Sequence, residues 1–184
     1  MRASTGTSSR RNTESRPGQS PGGFTLLELV VVIVITAILS LTAAPMLSHF
    51  ATLRQNAGAA RVRSDVSLAR QRAVATGLRT WAVFDTGGQT LTLYEESSAT
   101  PGRANRTAMA VPGEVGSGWV TRFNTGEFRG ATLLTVDLDG GAEVGFDYLG
   151  RPYTQSESLM TSDGTITMSG GVTITVEGES GHVH

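Results

Sequence analysis

The chain contains no cysteine. That excludes a disulfide framework, a thiolate metal site and a cysteine nucleophile. It also lacks lysine, since all fifteen basic residues are arginine, which we read as coding bias rather than mechanism. Histidine is scarce, with only His49, His182 and His184. No nucleophile elbow, zinc-helix motif or phosphate-binding loop occurs. The sequence therefore offers no catalytic set and calls for no cofactor, and it does not read as an enzyme.

A near-neutral formal charge of −1 hides a strong partition. Residues 1–23 carry four Arg and one Glu, net +3; residues 54–79 carry six Arg and one Asp, net +5; residues 80–184 carry five Arg and thirteen acids, net −8. Residues 1–22 are rich in Ser, Thr, Arg, Gly and Pro without apolar periodicity, and are expected to be disordered and cytoplasmic.

From Phe24 to Ala44 the only charge is Glu28, and Leu29 to Ile35 is uninterrupted apolar sequence. As a helix the segment rises about 31 Å, near one hydrocarbon thickness. The β-branched run Val30–Ile35 suits a strand in water, but in lipid each backbone group must bond within its own segment, so a helix is expected. Positive charge before the run and acid after it place the leader inside and the head outside. A carboxylate kept inside an apolar segment is expensive and marks a functional position.

The string Gly22-Gly23-Phe24-Thr25-Leu26-Leu27-Glu28 resembles the prepilin leader junction of type IV pilins and type II secretion pseudopilins. The resemblance implies that a membrane aspartyl peptidase, the prepilin peptidase, cuts between Gly23 and Phe24 and methylates the new amine of Phe24. It implies that Glu28 pairs with a neighbouring subunit's amine during assembly. Two plainer explanations compete. A conventional signal peptide cleaved after Thr42-Ala43-Ala44 is blocked by Pro45, and a plain anchor has no need of Glu28. A carboxylate merely snorkelling at the interface is the simpler account of Glu28.

Pro45 removes one backbone bond and is expected to kink or locally melt the helix. Beyond it Val62, Val66, Ala69 and Ala73 form one apolar stripe, with Arg61, Arg63, Arg70 and Arg72 off it and Gly77 as a stop. That Arg cluster is either a phosphate-binding surface or the solvated face of an amphipathic helix, and the spacing favours the latter. After Gly77 the period changes to two. Arg79–Asp85 and Gln89–Glu95 flank Thr86-Gly87-Gly88 as a hairpin. Further strands are expected at Trp119–Phe123, Leu133–Leu138, Glu143–Tyr148, Thr165–Met168 and Val172–Glu177, and residues 97–118 are expected to form a long mobile loop.

The helix segment Ser67–Gly77 and the element Phe146-Asp147-Tyr148-Leu149-Gly150-Arg151-Pro152 resemble the GspH/FimT pseudopilins. Relatives often end in a Gly-Arg-x-Arg-like tail, whereas this chain has Gly181-His182-Val183-His184. The resemblance implies an α+β, type IV pilin-like fold, with a long N-terminal helix packed on an antiparallel β-sheet head. The expected division is a removed leader (1–23), a transmembrane and filament-core helix (24–53), an amphipathic helix (54–78) and a periplasmic head (79–184). It implies a type II secretion pseudopilin of the inner membrane that works with other major and minor pseudopilins and an assembly platform. A minor pilin of a type IV pilus is the alternative, and the acidic head argues against DNA as a partner.

Two weaker signals stand beside these. Asp137-Leu138-Asp139-Gly140 has part of a calcium loop but lacks its remaining ligands, so a tight turn is expected. His182 and His184 alternate on one face as a metal pair with no third ligand in view, so a frayed terminus is expected. His49 is expected at the membrane interface.

Overall fold

A computed structural model of the chain describes residues 23–114 and 116–184, with residues 41–49 described as helical backbone only. The expected disorder of residues 1–22 lies outside the described residues. Two compact units divide the chain, the second running from Ala43 to His184.

Helix α1 spans Leu26–Thr76. Its N-terminal part, in the first unit, carries β-branched residues that would favour a strand, yet it is helical throughout. The backbone is also helical through Pro45, so the local melting considered there does not occur. Gly77 ends the helix as expected: it adopts φ +72° and its N–H bonds to the Ala73 carbonyl, the left-handed stop that glycine makes cheaply.

In the second unit, Ala59, Val62, Val66, Ala69 and Ala73 are all fully buried. Steps of three and four place them on one helix face, and the head packs against that face. Gly58, four residues before Val62, widens the stripe at its start, because a Cβ there would lie 2.8 Å from the Ala131 Cβ and 3.3 Å from Met168. The backbone of α1 approaches the head closely only because that position carries no side chain.

The head has two antiparallel sheets. The larger is ordered β3–β2–β1–β6–β7, with β4 also paired to β2; its strands are β1 (Thr80–Asp85), β2 (Thr90–Glu95), β3 (Thr107–Ala108), β4 (Val120–Arg122), β6 (Glu143–Phe146) and β7 (Pro152–Tyr153). The smaller is β5 (Leu133–Asp137), β8 (Gly164–Met168) and β9 (Val172–Val176), in the order β5–β8–β9. The β1–β2 hairpin falls where expected, pairing Thr80 with Glu95 and Asp85 with Thr90. Asp85 Oδ1 accepts from the Gly87 and Gly88 N–H groups, which closes the turn. Leu91, Leu93, Phe123, Phe146, Ile166, Met168 and Ile174 fill the core beside the helix stripe.

Three departures from the sequence reading have local causes. The strand from Glu143 stops at Phe146 because Asp147 turns the chain. Strands β3 and β7, two residues each, are too short to leave a periodic signal. Residues 97–118, expected as a long loop, are tied to the head: Met109 is buried, Ala110 bridges Gly118, and Arg103 and Arg106 both bond to Glu143.

Candidate functional site

Gly23, Phe24 and Thr25 are non-helical, and α1 begins at Leu26. The Thr25 hydroxyl accepts the Glu28 backbone N–H at 3.2 Å, and the Thr25 carbonyl accepts from Leu29 at 3.1 Å. Thr25 is thus the N-cap and Glu28 the third helical residue, the spacing of a capping box. The Glu28 carboxylate also lies in the first turn, where the helix dipole favours negative charge. The sequence reading assigned Glu28 to assembly and overlooked this second role. The Thr-x-x-Glu spacing was the available signal.

Glu28 is exposed and has no ion-pair partner among the described residues. Phe24 is 77% exposed. The joint between Gly23 and Phe24 is therefore exposed and non-helical, next to a helix whose start is already capped. Leu26, Leu27, Leu29, Val30 to Ile35, Ile38 and Leu39 are all exposed. A helix apolar on every side belongs against lipid or other helices. Two of its hydroxyls are satisfied internally, Thr36 donating to the Val32 carbonyl and Ser40 to the Thr36 carbonyl, as suits a side chain in apolar surroundings. Among the described residues no helix is long and apolar enough to cross a membrane. The segment expected to span, 24–44, runs into residues 41–49, whose side chains lie outside the description.

Three arginines of the basic face of α1 in the second unit bond within it, although Arg61 and Arg72 stay exposed to solvent. Arg61 donates to Asp65 and lies over Trp119; Arg72 pairs with Glu95 at 3.1 Å; Arg70 Nε donates to the Gly150 carbonyl at 3.1 Å. Asp65, 1% exposed, accepts from Arg61 Nε, Trp119 Nε1 and Thr121 Oγ1. It is the one acid in the basic stretch, three residues past Val62, and so falls beside the buried stripe.

The Phe146–Pro152 element has a physical basis. Asp147 Oδ1 accepts from the Leu149 and Arg151 N–H groups, and Oδ2 pairs with the Arg151 guanidinium. Burial pushes this carboxyl up, but those bonds outweigh it and hold the group below its ordinary value. Gly150, at φ +78°, lies against Arg70. On β6, Glu143 behaves alike: burial raises its carboxyl, and Arg103 and Arg106 bring it below the usual range.

Asp137–Gly140 forms a turn, in which Asp137 caps Gly140 and Asp139 accepts from Thr161 and Ser162. The segment 182–184 is not frayed. His184 exchanges both backbone bonds with Thr175, Val183 bridges Val176, and His182 accepts from Glu177. This pairing brings Glu177 beside the two histidines, a third ligand that the sequence reading did not find.

Residues 20–44 match the prokaryotic N-terminal methylation motif. Comparisons with curated proteins and with solved structures gave no match. The motif, with an N-terminal helix and antiparallel sheets in an α+β arrangement, supports a structural, type IV pilin-like protein, consistent with prepilin processing and assembly with other pilins.

Proposed function

We propose that the chain is a minor pseudopilin of the GspH/FimT type in a type II secretion system. Prepilin peptidase cuts between Gly23 and Phe24 and methylates the Phe24 amine. Residues 24–53 then form a membrane-spanning and filament-core helix in the inner membrane, bent at Pro45, with the leader cytoplasmic and residues 79–184 periplasmic. The subunit joins the major and other minor pseudopilins on an inner-membrane assembly platform, at or near the tip of a periplasmic pseudopilus.

The observation that carries this reading is the exposed Gly23–Phe24 joint placed directly before a capped helix that exposes apolar side chains on all sides and one carboxylate, Glu28, with no ion-pair partner among the described residues. Cleavage creates a positive amine near Glu28. In lipid each charge alone is costly, and pairing between neighbouring subunits offsets much of that cost. Mass spectrometry of protein extracted from membranes tests the reading. Loss of residues 1–23 with one added methyl group is expected, and Gly23→Ala should leave more precursor. Intact Met1 in cells with active prepilin peptidase, or a terminus at Pro45, counts against it.

A further inference from the structure

We propose that Glu177, His182 and His184 form a binding site for a divalent transition-metal ion of the zinc class. Among the described residues this is the one group of three such side chains able to share an ion, with ligand atoms all within 4.8 Å of one another. The arrangement follows from strand pairing. Val183 bridges Val176, which sets His182 opposite Glu177 and His184 opposite Thr175. Because side chains alternate along a strand, Glu177, His182 and His184 share one face.

The side chains are already arranged for a ligand. The imidazole rings lie 5.8 Å apart between centroids with planes 27° apart, and His184 Nδ1 lies 3.7 Å from Glu177 Oε1. Ser180 Oγ donates to Glu177 Oε2 at 2.5 Å, which orients the carboxylate with Oε1 toward the rings, the kind of outer bond that fixes metal ligands. Asp163, Glu177, Glu179 and His184 line a cleft of about 290 Å³, so negative charge surrounds the approach. A zinc ion with bonds of about 2.0–2.1 Å separates its ligands by roughly 3.3 Å. Exposed rings reach that spacing by small side-chain rotations. Two imidazoles and a carboxylate suit zinc, nickel or copper, whereas calcium and magnesium prefer all-oxygen sites. Three protein ligands leave one tetrahedral position to solvent. An ion here ties segment 182–184 to β9.

Zinc chloride titrated into the full-length chain in detergent, after chelator stripping, tests this by calorimetry. One ion per chain is expected. Outer-shell partners alone change affinity by about 10–100-fold, so His182→Ala and His184→Ala should each weaken binding at least about tenfold. Glu177→Gln should also weaken it, and His49→Ala should leave it unchanged. Millimolar calcium or magnesium should not displace zinc. Histidine ring resonances of the unsubstituted chain give a second readout independent of any variant's folding: those of His182 and His184 should shift with zinc, and that of His49 should not. Absence of binding, binding undiminished by either tail substitution, displacement by calcium, or a shift confined to His49 overturns the proposal.

Discussion

Asp147 is almost fully buried, yet it stays charged because two backbone N–H groups and the Arg151 guanidinium converge on it. Glu143 holds Arg103 and Arg106 in the same way, and Arg106 lies between the rings of Trp81 and Tyr94. Both carboxyls sit below their ordinary values in the folded protein. The stability they contribute is therefore full above their unfolded values, about 3.9 for Asp and 4.3 for Glu, and is lost as pH falls through the lower folded values. The thermal midpoint of the full-length chain in detergent should change little between about pH 7 and 5 and drop below about pH 4. Asp147→Asn should lower the neutral-pH stability by about 1–3 kcal/mol, the cost of leaving buried donors poorly satisfied. It should also flatten the acid limb. An equally steep acid limb in that variant would place the acid sensitivity elsewhere.

Helix α1 shows how one element serves two environments. Its N-terminal part is apolar on all sides and exposed, whereas its C-terminal part presents a narrow stripe of small residues to the head. Alanine, valine and Gly58 along that stripe allow close approach, and Asp65 then pins the helix laterally to Trp119 and Thr121. Thr80 adds a bond from its hydroxyl to the Ala69 carbonyl at 2.7 Å. Asp65→Ala leaves the buried Thr121 hydroxyl and the half-buried Trp119 indole N–H without their acceptor, so a loss of about 1–3 kcal/mol is expected in thermal unfolding. Processing at Gly23 should be unaffected, because the substitution leaves the junction sequence intact. Unchanged stability would mean that solvent replaces the carboxylate. The stripe was legible from its period. The pin was not, since a single acid among arginines reads equally well as a surface charge.

At the scale of the whole molecule, the charge partition bears on whether DNA is an expected partner. From Phe24 onward the chain has eleven Arg and fifteen acids. Non-specific DNA affinity comes mainly from phosphate neutralisation by free cations. Here Arg61, Arg70, Arg72, Arg103 and Arg106 bond to groups of the chain itself. The chain in detergent should show no measurable duplex binding at physiological salt, and any binding at low salt should fade steeply as salt rises. Tight, salt-resistant binding in a gel-shift assay would favour a DNA-capturing pilus over secretion.

The sequence alone determined the elements whose signal is local. Periodicity of two or of three to four residues shows in a short window, so the α1 stripe and the β1–β2 hairpin could be read directly, while the junction at Gly23 was read from its resemblance to a prepilin leader. The α+β class was what the family resemblance implied, and the structure has it. What only the tertiary structure decided depends on residues far apart in the chain. Glu143 meets Arg103 and Arg106, Asp65 meets Thr121, and Arg70 meets Gly150; none of these pairs shares a periodic window. The segment 97–118 read as a loop for that reason, since its anchors lie on β6 and in the core. Glu177 joined the two histidines for the same reason: strand pairing, rather than spacing along the chain, brings a third ligand to a pair.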